Sequence, residues 1–130
     1  VYCDIIISIL KYIEKMSINK LMVFAYILKK NRFYKGKVFT ANSKVNIVIK
    51  ALTLLNGLRD DYFYNIEFII KAMDILVQKQ IVVVGENSLL ILNDKSYLSK
   101  TDIPLFFCHV LDESGNYTDR QFLKEVLDNV

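Results

Sequence analysis

The sequence predicts a mainly α single domain with one β-hairpin, and three observations carry that prediction. Apolar residues recur at helical spacing over most of the 130-residue chain. Only 1 Pro and 4 Gly interrupt it, too few for an interdomain linker or for the turns of an all-β domain. The stretch 81–92 reads differently, as a β-branched run, a polar turn and a second apolar run. With 53% hydrophobic residues the chain is rich enough to bury a core without staples. Residues 1–130 therefore form one domain: a helical bundle over 2–79, the hairpin over 81–92 and C-terminal helices over 102–128.

The first helix covers 2–16, with Ile5, Ile6, Ile9, Leu10, Tyr12 and Ile13 on one side and Lys11, Glu14 and Lys15 on the other. Ser17 caps a second helix, in which Leu21, Met22, Val23, Phe24, Tyr26, Ile27 and Leu28 wrap so widely that it should be nearly buried. Lys29, Lys30 and Arg32 then complement its C-terminal dipole. Between Phe33 and Asn42 no period is clear, and aromatic and basic residues alternate around Gly36, which allows a loop or a short irregular strand.

Asn42 or Ser43 caps a third helix that lines up Val45, Val48, Leu52 and Leu55, stopped by Asn56-Gly57. A fourth helix from about Asn65 to Lys79 turns Ile66, Ile69, Ile70, Met73, Leu76 and Val77 inward and leaves the Glu67/Lys71 pair outside. The hairpin joins Ile81–Val84 to Leu89–Leu92 through Gly85-Glu86-Asn87-Ser88. Thr101, before Pro104, starts another helix that ends in the polar turn 112–116. Thr118 and Gln121 have capping-box spacing and open a last helix carrying Phe122, Val126 and Leu127.

Helices followed at once by a two-stranded hairpin is the order of a winged helix, hence a winged-helix-like domain, a fold used both to read DNA and to dock proteins. The spacer 33–42 is longer than the roughly three or four residues of a tight helix-turn-helix, which counts against a standard DNA-reading module.

Charge is distributed unevenly. From Lys15 to Arg59 there are ten basic residues and no acidic one; since the whole chain has 17 basic and 14 acidic side chains, the rest holds 17 less 10, or 7, basic against all 14 acidic. A formal net charge of +3 thus conceals a dipolar molecule, suited to a phosphate backbone or an acidic protein on one side and a basic partner on the other. Cations grip phosphates and aromatics stack on bases, so Lys29, Lys30, Arg32, Lys35, Lys37, Lys44 and Lys50 are the candidate nucleic-acid contacts, with Phe33, Tyr34 and Phe39 interleaved. The alternative is a solvated loop whose aromatics pack on the core. The surplus of aromatics likewise fits either an interface or an aromatic-rich core.

No catalytic motif emerges. The one His, His109, directly follows Cys108, and adjacent helical residues do not face each other. Asp60-Asp61 and Asp112-Glu113 are explained by solvation and helix ends without acid-base work. The four glycines stand apart, so no phosphate cradle is present, and two Cys with one His do not supply a zinc site. The sequence thus predicts a protein that is not an enzyme and needs no metal, cofactor or small-molecule substrate.

The longest apolar run, Leu21–Leu28, falls far short of the roughly 20 residues that span a bilayer, so no membrane is expected. No signal-peptide order follows Val1, and Cys3 and Cys108 lie far apart without a CxxC, which favours a reducing, cytoplasmic location. The hairpin strands are apolar on both faces, so either more of the domain covers them or another protein does. Ile81, Val83, Leu90 and Leu92 join Phe33, Tyr34 and Phe39 as candidate partner-interface residues.

The pattern resembles the small middle component of bacterial three-component ABC-ATPase systems, including the small subunit of Lamassu-type defence complexes. The resemblance rests on order and apolar pattern over most of the chain. Its parts are the helix Leu21–Leu28 closed by Lys29-Lys30; Ala51-Leu52 running into Leu54-Leu55-Asn56-Gly57-Leu58; the helix ending Ala72-Met73-Asp74-Ile75-Leu76-Val77 with Gln80 and the hairpin around Gly85; and the closing helices from Pro104 to Leu127. The Asn-Pro-Ala-type start common in that family is absent.

The resemblance implies a non-catalytic accessory subunit that bridges an SMC-like coiled-coil ATPase and an effector, often a nuclease, in cytoplasmic antiviral and plasmid defence. It also implies non-specific double-stranded DNA contact through the complex. The alternative is a winged-helix DNA-binding transcriptional regulator, which should form a stable homodimer and shift a specific duplex.

Overall fold

The computed structural model describes residues 1–31, 47–94 and 102–129. Helix α1, Tyr2–Ile13, is apolar around almost its whole circumference, and a helix of that kind must lie inside: Ile5, Ile6, Ile9 and Leu10 are fully buried. It ends at Ile13, short of the expected Met16, because Glu14 takes φ 55 and sends Lys15–Ser17 into strand β1. No local propensity marks those three residues as a strand. They pair because β3, further along the chain, offers an apolar edge that Met16 can help to cover. Tyr12, expected inside, is exposed and donates its hydroxyl to the Asp112 carboxylate at 2.8 Å.

Helix α2, Ile18–Asn31, begins where Ser17 Oγ accepts the Lys20 backbone N–H at 3.4 Å, the capping role read from the sequence. Val23 through Leu28 are all buried, and Phe24 meets Phe122 with ring centroids 5.2 Å apart. Helix α3, Ile47–Leu52, passes into a single 3-10 turn at Thr53–Leu55, and Gly57 at φ 78 reverses the chain as the Asn56-Gly57 stop requires. The stretch 33–42 and the start of the third helix, including Val45, lie outside the described residues.

Helix α4, Arg59–Gln78, starts earlier than the expected Asn65, with Asp60 and Asp61 in the first turn, where carboxylates oppose the positive end of the dipole. It closes in a Schellman arrangement: Ile81 N–H donates to Leu76 O at 2.9 Å and Gln80 N–H to Val77 O at 3.0 Å, with Gln80 at φ 60 in the place usually given to glycine. That reversal leads straight into the hairpin, β2 at Val82–Val84 and β3 at Leu89–Leu92, in register Val83↔Ile91. β1 adds to the other edge of β3 with Met16↔Leu90, so the sheet order is β1-β3-β2, all antiparallel.

Helix α5, Leu105–Ser114, follows Pro104 as N-cap, so it begins later than the expected Thr101, which lies outside the described residues. Helix α6, Asp119–Asn129, opens on the anticipated capping box: Thr118 N–H donates to Gln121 Oε1 at 2.9 Å, and Gln121 N–H to Thr118 Oγ1 at 3.1 Å. It buries Phe122 and Val126 but leaves Leu127 outside. The core runs through two junctions. α1 packs on α2, α4 and β3, while α3 packs on α5 and α6, with α2 bridging to α6. The result is the mainly α domain with a β-hairpin that the sequence predicts, with β1 as an unanticipated third strand.

Candidate interaction surface

The two cations that end α2 are tied inward. Lys30 Nζ lies 2.8 Å from Asp61 Oδ2, and the Tyr26 hydroxyl donates to the same oxygen. Lys30 and Tyr26 together hold the Asp61 carboxyl below the usual carboxylate range. Lys29 Nζ stands 4.7 Å above the Tyr2 ring and 3.4 Å from Asn65 Oδ1, which also accepts the Tyr2 hydroxyl at 2.9 Å. Burial, with the Asp61 charge behind it, pushes the Tyr2 phenol far up, and burial pushes that of Tyr62 up to about 12. These groups lock α1, α2 and the first turns of α4 together. Lys29 and Lys30 thus have partners within the domain, Lys30 in a pair whose side chains are 34% and 39% exposed. Lys50 is half-buried on α3, and Arg32, Lys35, Lys37 and Lys44 lie outside the described residues.

Lys20 is a further inward cation. Its Nζ donates to Ser114 O at 2.9 Å and to Tyr117 O at 2.5 Å, so it caps the carbonyls that leave α5, and its burial lowers its pKa while nearby Asp119 partly compensates. Ser17 Oγ donates to Asp119 Oδ1 at 2.7 Å, which ties the β1–α2 junction to α6.

In the hairpin the faces separate. Leu90 and Leu92 are 2% and 6% exposed and belong to the core with Val82, so they are corrected as partner-interface residues. Their side chains alternate inward toward the helices because a strand presents every second residue to one face. Val83, on the opposite face with Ile91, and Val84, on the Leu90 side at the end of its strand, are both exposed, Ile81 is half-buried, and Phe33, Tyr34 and Phe39 lie outside the described residues.

Among the described residues the most extensive apolar exposure lies on α4, where the sequence predicts only the Glu67/Lys71 pair outside. That helix buries Tyr62, Asn65, Ile69, Ala72, Met73 and Leu76, and exposes Phe63, Tyr64, Phe68, Ile70, Ile75 and Val77. Ile70 is 49% exposed and Val77 37%, so both are corrected from inward to outward. The outer face carries one row of Phe63, Ile70 and Val77 and a second of Tyr64, Phe68 and Ile75, with Asp60, Glu67 and Asp74 between them. Beside the second row, Phe68, Ile75, Lys71, Ala72, Tyr2 and Lys29 border a shallow hollow of about 290 Å³. The signal was available in the sequence: large apolar residues occur around the whole helix, which one buried face cannot absorb.

The outer face holds no arrangement for bond chemistry. Elsewhere, His109 is exposed on α5, and Cys108 Sγ donates to Ile103 O at 3.8 Å while burial, reinforced by Asp112, pushes its thiol pKa up. Cys3 donates to Ala72 O at 3.7 Å; both cysteines are free thiols. Among the described residues no cluster of three His, Cys, Asp or Glu side chains could hold a metal, and no helix is long and apolar enough to cross a membrane. Comparison with protein-family profiles, with curated proteins and with solved structures gives no match.

Proposed function

We propose that this chain is a non-catalytic accessory subunit that works by being held between larger proteins. The sequence resemblance assigns those proteins as an SMC-like coiled-coil ATPase and an effector, in a cytoplasmic defence complex against phage or plasmid DNA. The observation that carries the docking role is the outer face of α4. In a winged-helix-like order the helix before the hairpin is the one that would enter a DNA groove, and here its charges are Arg59 and Lys71 against Asp60, Asp61, Glu67 and Asp74. A helix that is net acidic repels phosphate, whereas exposed Phe, Tyr and Ile side chains suit a protein interface. Val83, exposed on the face of the hairpin away from Leu90 and Leu92, adds a second apolar contact point.

The test is co-purification of the tagged chain from its native host. Phe63→Asp with Ile70→Asp, and separately Val83→Asp, should release the large ATPase while the far-ultraviolet dichroism stays that of the folded domain. Retention of the ATPase by all of these variants contradicts the docking role. DNA contact by the complex is assigned to Arg32, Lys35, Lys37 and Lys44, and their reversal to Glu should flatten its salt dependence.

A second reading, the winged-helix transcriptional regulator, is favoured by the strand order β1-β3-β2 with β1 set between the first two helices. It requires the isolated chain to be a dimer that shifts one duplex in preference to others.

A further inference from the structure

The spacing on α4 points to a particular kind of partner. Phe63, Ile70 and Val77 recur every seventh residue, and so do Asp60, Glu67 and Asp74, all exposed on neighbouring lines of one face. An apolar row flanked by a charged row at heptad spacing is one side of a coiled-coil seam, in which the flanking charges choose the partner. An unsupercoiled helix drifts about 20° per heptad, so both rows wind together and suit a second helix crossing at about +20°. The rows run from Asp60 to Val77, about 26 Å of helix, which matches roughly three heptads of a partner.

The acidic row decides what that partner carries. A second copy is disfavoured: about a two-fold axis Glu67 would meet Glu67 and Asp60 would meet Asp74, placing like charges opposite one another. Among the described residues the row is only weakly engaged, because Glu67 pairs with Lys71 at 3.2 Å with both side chains mostly exposed, and Asp74 accepts from Gln78 at 3.1 Å. Such contacts exchange readily for an incoming cation. Resting on the docking role above, we infer that the outer face of α4 receives a basic amphipathic helix of another protein. Its apolar seam sits on Phe63, Ile70 and Val77, and its Lys or Arg residues lie opposite Asp60, Glu67 and Asp74.

The purified full chain is titrated into two labelled synthetic peptides of about three heptads, read by fluorescence anisotropy. Both have Leu at the seam positions; one has Lys and the other Glu at the flanking positions. The Lys peptide should bind roughly tenfold or more tightly than the Glu peptide, several exposed pairs contributing together. Asp60→Lys with Glu67→Lys and Asp74→Lys should invert that order, and Phe63→Asp with Ile70→Asp should abolish both interactions. Absence of binding, a preference that does not invert, or a chain dimer that buries α4 overturns the inference. In the co-purification, ATPase lost from the Phe63/Ile70 variant but kept by the charge-reversed one defeats this inference alone. ATPase kept by both, and by the Val83 variant, defeats the docking role itself.

Discussion

The two long helices α2 and α4 are both rich in large apolar residues, yet they use them differently. α2 has Val23 through Leu28 buried without a break, and its cations Lys20, Lys29 and Lys30 reach back to partners within the domain. α4 buries one face and turns six large apolar side chains to the outside, with carboxylates set between them. Composition is thus a poor guide to role. What separates the scaffold helix from the surface helix is whether each apolar residue and each charge finds a partner inside the fold.

Substitutions in the two helices should differ accordingly, and the largest effect belongs to α2. Phe24→Ala removes a fully buried ring that meets Phe122 at a tilt and is expected to cost about 3–5 kcal/mol by denaturant unfolding. Should the loss be under about 1 kcal/mol, α2 is not the scaffold described. Lys20→Met leaves the Ser114 and Tyr117 carbonyls without their ammonium donor, with an expected loss of about 1–3 kcal/mol and earlier fraying of α5 in hydrogen exchange.

The Lys30–Asp61 pair is partly exposed, so solvent screening limits it, and Lys30→Met should cost only about 0.5–1 kcal/mol at neutral pH. Its pH dependence has a defined sign. Because the folded Asp61 carboxyl lies below the unfolded value of about 3.9, the pair contributes fully above that pH and its contribution is lost as pH falls through the folded pKa. Wild-type and variant stabilities should therefore converge in acid, and a difference that grows in acid would remove Asp61 as the partner. The smallest effect is on the outer face of α4. Ile70→Ser should leave unfolding within about 0.5 kcal/mol of wild type, and a large loss would mean that Ile70 is part of the core after all.

What was legible beforehand follows the range of each interaction. The capping box at Thr118 and Gln121, the cap at Ser17, the stop at Asn56-Gly57 and the turn 85–88 are set by residues a few positions apart, and the structure forms them as read. Strand β1 was not legible, because Lys15–Ser17 become a strand only by pairing with Leu89–Ile91, far along the chain. The early start of α4 was announced by Asp60-Asp61, a first-turn signal outweighed in the reading by the apolar run that follows. Ile70 and Val77 were misplaced because periodicity finds apolar rows without saying which neighbour covers them. The pairing of Lys30 was not legible because its carboxylate, Asp61, lies on another helix.

The central claim is that the outer face of α4 is covered by another protein in the working assembly. It is tested most directly by replacing Phe63, in the native host, with a benzophenone amino acid and irradiating the cells, with Lys124 on the exposed side of α6 as the control position. The account expects a covalent adduct between position 63 and the large ATPase, and none from position 124. A chain that is incorporated into its complex yet yields no adduct from position 63 would contradict it.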